Sequence, residues 1–504
     1  MRGAAIIRVA AVRVAIVATA SYKRRRTPIR KEDAMLDEMV REHAEKADGL
    51  PLRNEDGDIR AEVNEAVAAA VEAGDAARLR ALFTDLHATD QSDLLLSLDP
   101  ADRPRLIELL GDAFDFAALT ELDETARTRI VEALETRTLV EGVRELDSDD
   151  AVYILEDLDK EDQDEILDQL PALERVALAR SLDYPEESAG RRMQTEFVAV
   201  PAFWTVGQTI DHLRETEDLP ERFYEIFVVD PRYQLLGEVS LDVLLRTKRP
   251  VAMVDIVSEE RHQVKATDDQ EDVARLFERY NWVSAAVVDD AGRLVGVITV
   301  DDVVDVIEEE ADEDLKALGG VKADEELSDT VWYIAKSRFS WLFLNLFTAI
   351  LASAVIGMFE GQIEKMVALA VLMPIVASQG GNAGTQTMTV AVRALATRQL
   401  GNANARRIVL REVAAGFLNG IAFAVIMGAV AVAWFGLPDL GLVIGLSMVV
   451  VLIAAALGGI LIPLALHKLG ADPAVSSGPF VTTVTDVVGF FAFLGIATLW
   501  FRLS

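Results

Sequence analysis

Ser477-Gly478-Pro479-Phe480-Val481-Thr482-Thr483-Val484-Thr485-Asp486-Val487-Val488-Gly489 lies inside an apolar run, residues 473–501, whose single charge is Asp486. About 20 apolar residues at 1.5 Å rise cross the hydrocarbon core of a bilayer, so the run reads as a spanning helix with a carboxylate at membrane depth. An ionised carboxylate there costs about 2.5–3.5 kcal/mol or more unless water, a cation or a partner charge meets it. Hydroxyls and glycines surround Asp486, and its own helix offers no basic partner. The pattern suits a polar pathway for a cation. The reading left open beside it is a buried Asp that only hydrogen-bonds a neighbouring helix.

Four more runs are long enough to span: 341–359, 366–392, 413–437 and 440–466, none of them charged. The connections after the first and third hold Glu360, Glu364, Lys365 and Asp439, whereas Arg393, Arg398, Arg406, Arg407 and Arg411 follow the second. Positive loops stay on the cytoplasmic side, so the N-terminal region is expected inside and the C-terminus outside. In the second run Pro374 precedes Gln379-Gly380-Gly381-Asn382-Ala383-Gly384-Thr385-Gln386-Thr387. Such a stretch is expected to break the helix and turn free carbonyls and the Asn382 and Gln386 amides towards a pore. Close helix packing through small residues is the other reading, and both can hold together.

Charge divides the chain. From residue 336 onward there are 10 basic and 6 acidic residues, against 39 and 77 before it. So acidic a surface repels nucleic acid and anionic lipid and attracts cations. With no cysteine, disulfides and thiolate metal sites are excluded. The five histidines are scattered and no Walker-type glycine loop occurs, which argues against an enzyme and against an ATP-driven pump.

Leucines recur every twelve residues, at 86, 98, 110, 122, 134, 146, 158, 170 and 182, several opening a Leu-Asp or Leu-Pro turn. Short capped helices stacked on a leucine seam predict an α-solenoid. A second repeat pairs Phe227-Val228-Val229-Asp230 and Gly237-Glu238-Val239-Ser240-Leu241-Asp242 with Val287-Val288-Asp289 and Gly296-Val297-Ile298-Thr299-Val300-Asp301. Each copy reads helix, strand, turn, strand, helix, a mixed α/β module in tandem. It resembles a pair of cystathionine-β-synthase (CBS) domains, which commonly sense small ligands. Thr299 and Asp302 match the polar places of that module's nucleotide-ribose pattern, while Val243 replaces the acid in the first copy, so at most one nucleotide site is expected. Next comes Asp301-Asp302-Val303-Val304-Asp305-Val306-Ile307-Glu308-Glu309-Glu310-Ala311-Asp312-Glu313-Asp314. On a helix, Asp302, Asp305 and Glu309 share one face and Glu310, Glu313 and Asp314 the adjoining one. A divalent cation would relieve their repulsion; a solvated acidic linker is the plainer reading.

Tyr184-Pro185-Glu186-Glu187-Ser188-Ala189-Gly190-Arg191 ahead of the modules, Gly380-Gly381-Asn382-Ala383-Gly384-Thr385-Gln386, and Asp472-Pro473-Ala474 leading to Thr485-Asp486 occur in the order seen in the MgtE family of magnesium channels. The resemblance covers about residues 60–504. After an N-terminal basic arm and linker (1–59), which it does not cover, it implies a multidomain membrane protein: an α-solenoid (60–190), tandem CBS modules (191–310), an acidic connecting "plug" helix (311–338) and a five-helix transmembrane domain (339–504). It further implies a lipid-embedded homodimer in the plasma (inner) membrane that takes up Mg²⁺ selectively, with the ranking of Mg²⁺ against other divalent cations left open. Asp486 matches the pore carboxylate; Asn382, Ala383 and Gly478 match the pore wall, and Asp472 an acid at the cytoplasmic mouth. Asp269, Glu271, Asp302, Asp305, Glu310 and Glu313 match positions where internal Mg²⁺ binds and favours closure. One acidic position of the family is Asn281 here. ATP is expected at most as a modulator. An ion-coupled carrier and a membrane-anchored sensor without transport remain the alternatives.

The first thirty residues carry eight Lys or Arg and no acid, with Arg8 and Arg13 interrupting an apolar stretch. They read as a poor signal peptide, and equally as a membrane-surface arm or as residues ahead of a true start at Met35.

Overall fold

The computed structural model describes residues 45–47, 50–54, 57, 59–84, 86–216, 219–220, 222–258, 260–322, 325, 330–401 and 404–502. The basic arm expected over the first thirty residues, and Met35, lie outside them. The chain divides into two compact units. One holds most of the residues up to 172, and the other the residues from 173 onward together with 123–125 and 147–152.

The first unit is built of short helices such as Ala61–Ala73, Ala76–Phe83, Arg103–Leu110 and Lys160–Gln169. The twelve-residue period places a leucine at or just past successive helix ends. Leu98, Leu110, Leu122, Leu134, Leu158 and Leu170 are all buried there. Polar residues start the helices as capping chemistry requires: the Asp159 carboxylate accepts the Glu161 and Asp162 amides, and Asp75 accepts that of Arg78. Where helices of one kind were expected, Gly111–Ala113 and Phe116–Leu119 are 3₁₀ turns. Phe116 of the second turn packs its ring on Gly142 of the helix Thr136–Val143, where a Cβ would lie 2.2 Å from it.

Within this unit Arg127 donates to Asp157 at 2.5 Å, with both side chains 5 % exposed or less, and stacks on Tyr153 at 3.9 Å. Removing one member of a buried pair leaves the other charge uncompensated. Arg127→Leu is therefore expected to destabilise the unit by about 3–5 kcal/mol, read by denaturant unfolding followed by far-UV circular dichroism.

The second unit opens with the tandem modules. Strands Ala199–Pro201, Glu225–Val229 and Leu235–Ser240 form one sheet, and Gln263–Lys265, Ser284–Val288 and Leu294–Thr299 the other. In each the first pair is parallel and the second antiparallel. Glu225 faces Ser240 as Ser284 faces Thr299, and Val228 faces Gly237 as Val287 faces Gly296. The repeat seen in sequence is thus reproduced residue by residue in the register. The sheets share a core of Phe227, Val229, Leu235, Ala286, Val288 and Leu294. Reciprocal bonds close the pair about an approximate two-fold: Leu235 N–H to Gly292 O at 3.1 Å, and Leu294 N–H to Tyr233 O at 3.0 Å.

The acidic stretch is one helix, Val300–Leu318, here called the linker helix. Its Val303 and Val306 belong to the second module's core, so the helix grows out of that module rather than beginning at 311. Nor does it run to 338. Gly319 ends it, Gly320 takes φ +72°, and the first spanning helix starts at Val331. The positive φ favours glycine and breaks the helical path, which corrects the expected single connecting helix.

Five helices among the described residues are long and apolar enough to cross a membrane: Val331–Gly357, Val367–Ala396, Ala405–Phe435, Pro438–Lys468 and Pro473–Phe501. The fourth is the hub. Its Leu440, Val443, Ile444 and Met448 pack with Leu372 of the second helix and Phe493 of the fifth. The second helix is continuous from 367 to 396 with Pro374 inside it, so the expected break at 379–387 is absent.

Candidate ion pathway and its acidic cluster

The glycines of the second helix have divided roles. A Cβ on Gly380 would lie 2.5 Å from Val451, and one on Gly384 2.8 Å from Val481 and 3.1 Å from Thr485. Gly380 and Gly384 therefore allow the second helix to touch the fourth and fifth closely, the small-residue packing of membrane helices. This corrects the expectation of free carbonyls across the stretch. Gly381 instead faces open space, and Asn382 and Gln386 are exposed, with Ala383 half-buried between them. Gly384→Val is expected to part the helices and lower the melting temperature in detergent by several degrees, read by tryptophan fluorescence; an unchanged melt would count against this contact.

Asp486 is half-buried, directly after the fully buried Thr485 that seats the second helix. Among the described residues no salt bridge reaches it. Gly478, two turns before Asp486 on the same helix, is half-buried, and at that helix's start Asp472 accepts the Ala474 amide at 2.7 Å.

The linker helix ends against the start of the fifth spanning helix. Ala317 shares a buried cluster with Met388 and Val392 of the second helix and Ala474 and Val481 of the fifth. Trp341 of the first helix lies close over Gly320, where a Cβ would meet its ring, and 3.6 Å from the corresponding position at Gly478. The end of the linker thus packs directly on the helices that carry Asn382 and Asp486.

Acids crowd the linker's inner face. Burial, then Glu271, Glu313 and Asp269, push the Glu310 carboxyl up to about 7 against the hydrogen bond from Gln270. Burial, then Glu187, Asp472, Asp314 and Glu271, raise Glu313; burial and Asp472 raise Asp314, opposed by Arg393. Glu271 is raised by burial first and held down by Arg275, which bonds it at 2.6 Å. The cleft beside them, about 610 Å³, has room for a hydrated ion and also receives Arg275, Arg393 and Arg398. Arg275 reaches the Ala396 carbonyl at 3.1 Å, and Arg398 pairs with Asp272, so the second module is tied to the loop after the second spanning helix.

Asp269 lines this same cleft, while Asp302, Asp305 and Glu309 sit elsewhere. Asp269 caps the helix Gln270–Tyr280, accepting the Glu271 amide at 2.9 Å. Asp302 accepts from the Thr299 hydroxyl at 2.8 Å in a capping box and faces Asp149; burial drives its pKa up to about 6, and that of Asp149 upward too. Thr299 and Asp302, the residues of the nucleotide-ribose pattern, are thus engaged with each other. Asp305 is exposed, and Glu309 pairs with Arg192 at 2.8 Å. Sequence reasoning passed over Asp149 and Glu187, which no local pattern links to the linker.

The pH sign follows from Glu310. Its pKa is higher in the folded cluster than the ordinary 4.5, so its ionisation opposes the packed arrangement. That opposition is absent below about pH 4.5, grows as pH rises, and is complete above about pH 7. Without Mg²⁺, the linker is expected to resist proteolysis better at pH 5.5 than at pH 8, with Mg²⁺ removing the difference.

Comparison with known proteins defines the class first. Residues 373–496 match the MgtE family model, described as a divalent cation transporter; residues 86–187 match the MgtE intracellular N domain and 254–309 a CBS domain. The magnesium transporter MgtE of Thermus thermophilus is 38 % identical over 339 residues, 66 % of this chain and 74 % of that one. The magnesium transporter MgtE of Enterococcus faecalis is 37 % identical over 321 residues, 64 % and 71 % of the two chains. A crystal structure of the cytosolic domain of the Mg²⁺ channel MgtE in complex with ATP is 32 % identical and covers 48 % of this chain and 99 % of its own, with a TM-score of 0.45. The chain belongs to the MgtE family and is a multi-pass membrane protein with a cytoplasmic N-terminal domain.

Proposed function

We propose that this chain is a homodimeric, passive Mg²⁺ channel that internal Mg²⁺ closes. The observation that carries the reading is Asp486, half-buried in a spanning helix and without an ion pair among the described residues. A two-fold axis beside the second and fifth helices would set two such carboxylates, and the exposed Asn382 amides, around one water-filled path. Mg²⁺ sheds water reluctantly, so outer-sphere contact with two carboxylates holds it while leaving it free to move on. The C-terminus then lies outside.

Closure is linkage. Mg²⁺ bound among Glu271, Glu310, Glu313 and Asp314 stabilises the packed cluster in proportion to its preference for that state. The packed cluster holds Ala317 and Gly320 against the entrance. Low Mg²⁺ leaves the acids to repel one another and frees the linker. The test is flux and current through proteoliposomes as Mg²⁺ on the cytoplasmic face is varied. Currents above carrier turnover, falling as that Mg²⁺ rises, are expected. Flux locked in ratio to a counter-ion would make the protein a coupled carrier, and no flux at all a sensor.

A further inference from the structure

Glu225, Glu238 and His262 each offer a ligand atom, and these atoms all lie within 4.8 Å of one another. Glu225 and Glu238 stand on the two antiparallel strands of the first module, which pair with each other; His262 immediately precedes the first strand of the second. The Glu238 side chain is 4 % exposed. Its Oε1 and the His262 Nδ1 are buried without a hydrogen-bond partner, although they lie 2.7 Å apart. A buried carboxylate oxygen and ring nitrogen left unaligned at that distance are an expensive arrangement in the absence of a third party. Burial, then Glu225, push the Glu238 carboxyl up to about 8, against the hydrogen bond it receives from the His262 backbone.

We propose that Glu225, Glu238 and His262 form a site for a divalent first-row transition ion of the Zn²⁺ class, separate from the Mg²⁺ machinery. Imidazole nitrogen with carboxylates suits Zn²⁺, Co²⁺ or Mn²⁺, whereas Mg²⁺ prefers oxygen alone. Ligands at about 2.1 Å from a tetrahedral ion stand about 3.4 Å apart, so the Glu238–His262 contact must widen by about 0.7 Å. The surroundings hold the ligands in place. Ser284 donates its hydroxyl to Glu225, Trp282 packs on the imidazole with ring centroids 4.9 Å apart, and the His262 carbonyl accepts the Ala286 amide at 2.8 Å. An ion there staples the first module's sheet to the chain entering the second.

Full-length protein in detergent, stripped with a chelator and dialysed with Zn²⁺ against excess Mg²⁺ to fill the oxygen-only sites, tests this. About one Zn²⁺ per chain is expected to remain, and Co²⁺ in its place to give a visible absorption band. His262→Ala and the near-isosteric Glu238→Gln are each expected to weaken retention at least tenfold. Glu310→Gln should retain it, and melting curves would establish that the variants fold. Retention equal in wild type and Glu238→Gln, or no Zn²⁺ held by wild type under Mg²⁺, overturns the site and leaves Glu238 and His262 a proton-sharing pair.

Discussion

Asp486→Ala is expected to bring Mg²⁺ uptake down to the background of empty vesicles, a loss of about a hundredfold or more, while the protein still inserts and dimerises. In a dimer the substitution deletes two carboxylates at once. Each hundredfold corresponds to about 2.7 kcal/mol, well within what an ion loses with its only fixed counter-charges in a low-dielectric path. Asp486→Asn keeps the shape and hydrogen-bonding capacity but not the charge, and should fail almost as badly. That contrast separates ion binding from helix packing, because a purely structural Asp would tolerate Asn. Uptake by Asp486→Asn at the wild-type rate would falsify the pore assignment.

Neutralising the inner face of the linker with Glu310→Gln, Glu313→Gln and Asp314→Asn is expected to flatten the response to internal Mg²⁺. Two opposed terms disappear together in this variant, the like-charge repulsion that opens the cluster and the ion affinity that closes it. Internal Mg²⁺ that shuts the wild type should then alter flux by less than about twofold, against the tenfold or greater change that 1.4 kcal/mol of differential binding produces. An inhibition curve of unchanged midpoint and depth would remove these three acids from the sensor. Asp302→Asn is the informative contrast. Its partners are Thr299 and Asp149, so it should alter linker stability more than the Mg²⁺ midpoint.

Much of the architecture was legible because its signals are local. A twelve-residue leucine period, a repeat with an unbroken register, and runs of uncharged apolar residues follow from near neighbours and from the length a bilayer demands. The candidate site drew attention for the same reason, since one carboxylate in an apolar run stands out in the sequence by itself. The glycine stretch was harder. Its composition fits a broken helix and a tightly packed one equally well, and only the approach of Val451, Val481 and Thr485 decided for packing.

The amino-acid order alone determined that this chain has five segments long and apolar enough to span a membrane, carries paired α/β modules and concentrates acid outside those segments. Tertiary structure alone decided which acids meet: Glu313 with Asp472, Asp302 with Asp149, and Glu225 and Glu238 with His262. Hydropathy and periodicity are written in adjacent residues, whereas these encounters join residues far apart in the chain. Their positions follow from how the sheets, the linker and the spanning helices pack, and side-chain chemistry then acts on whatever that packing brings together.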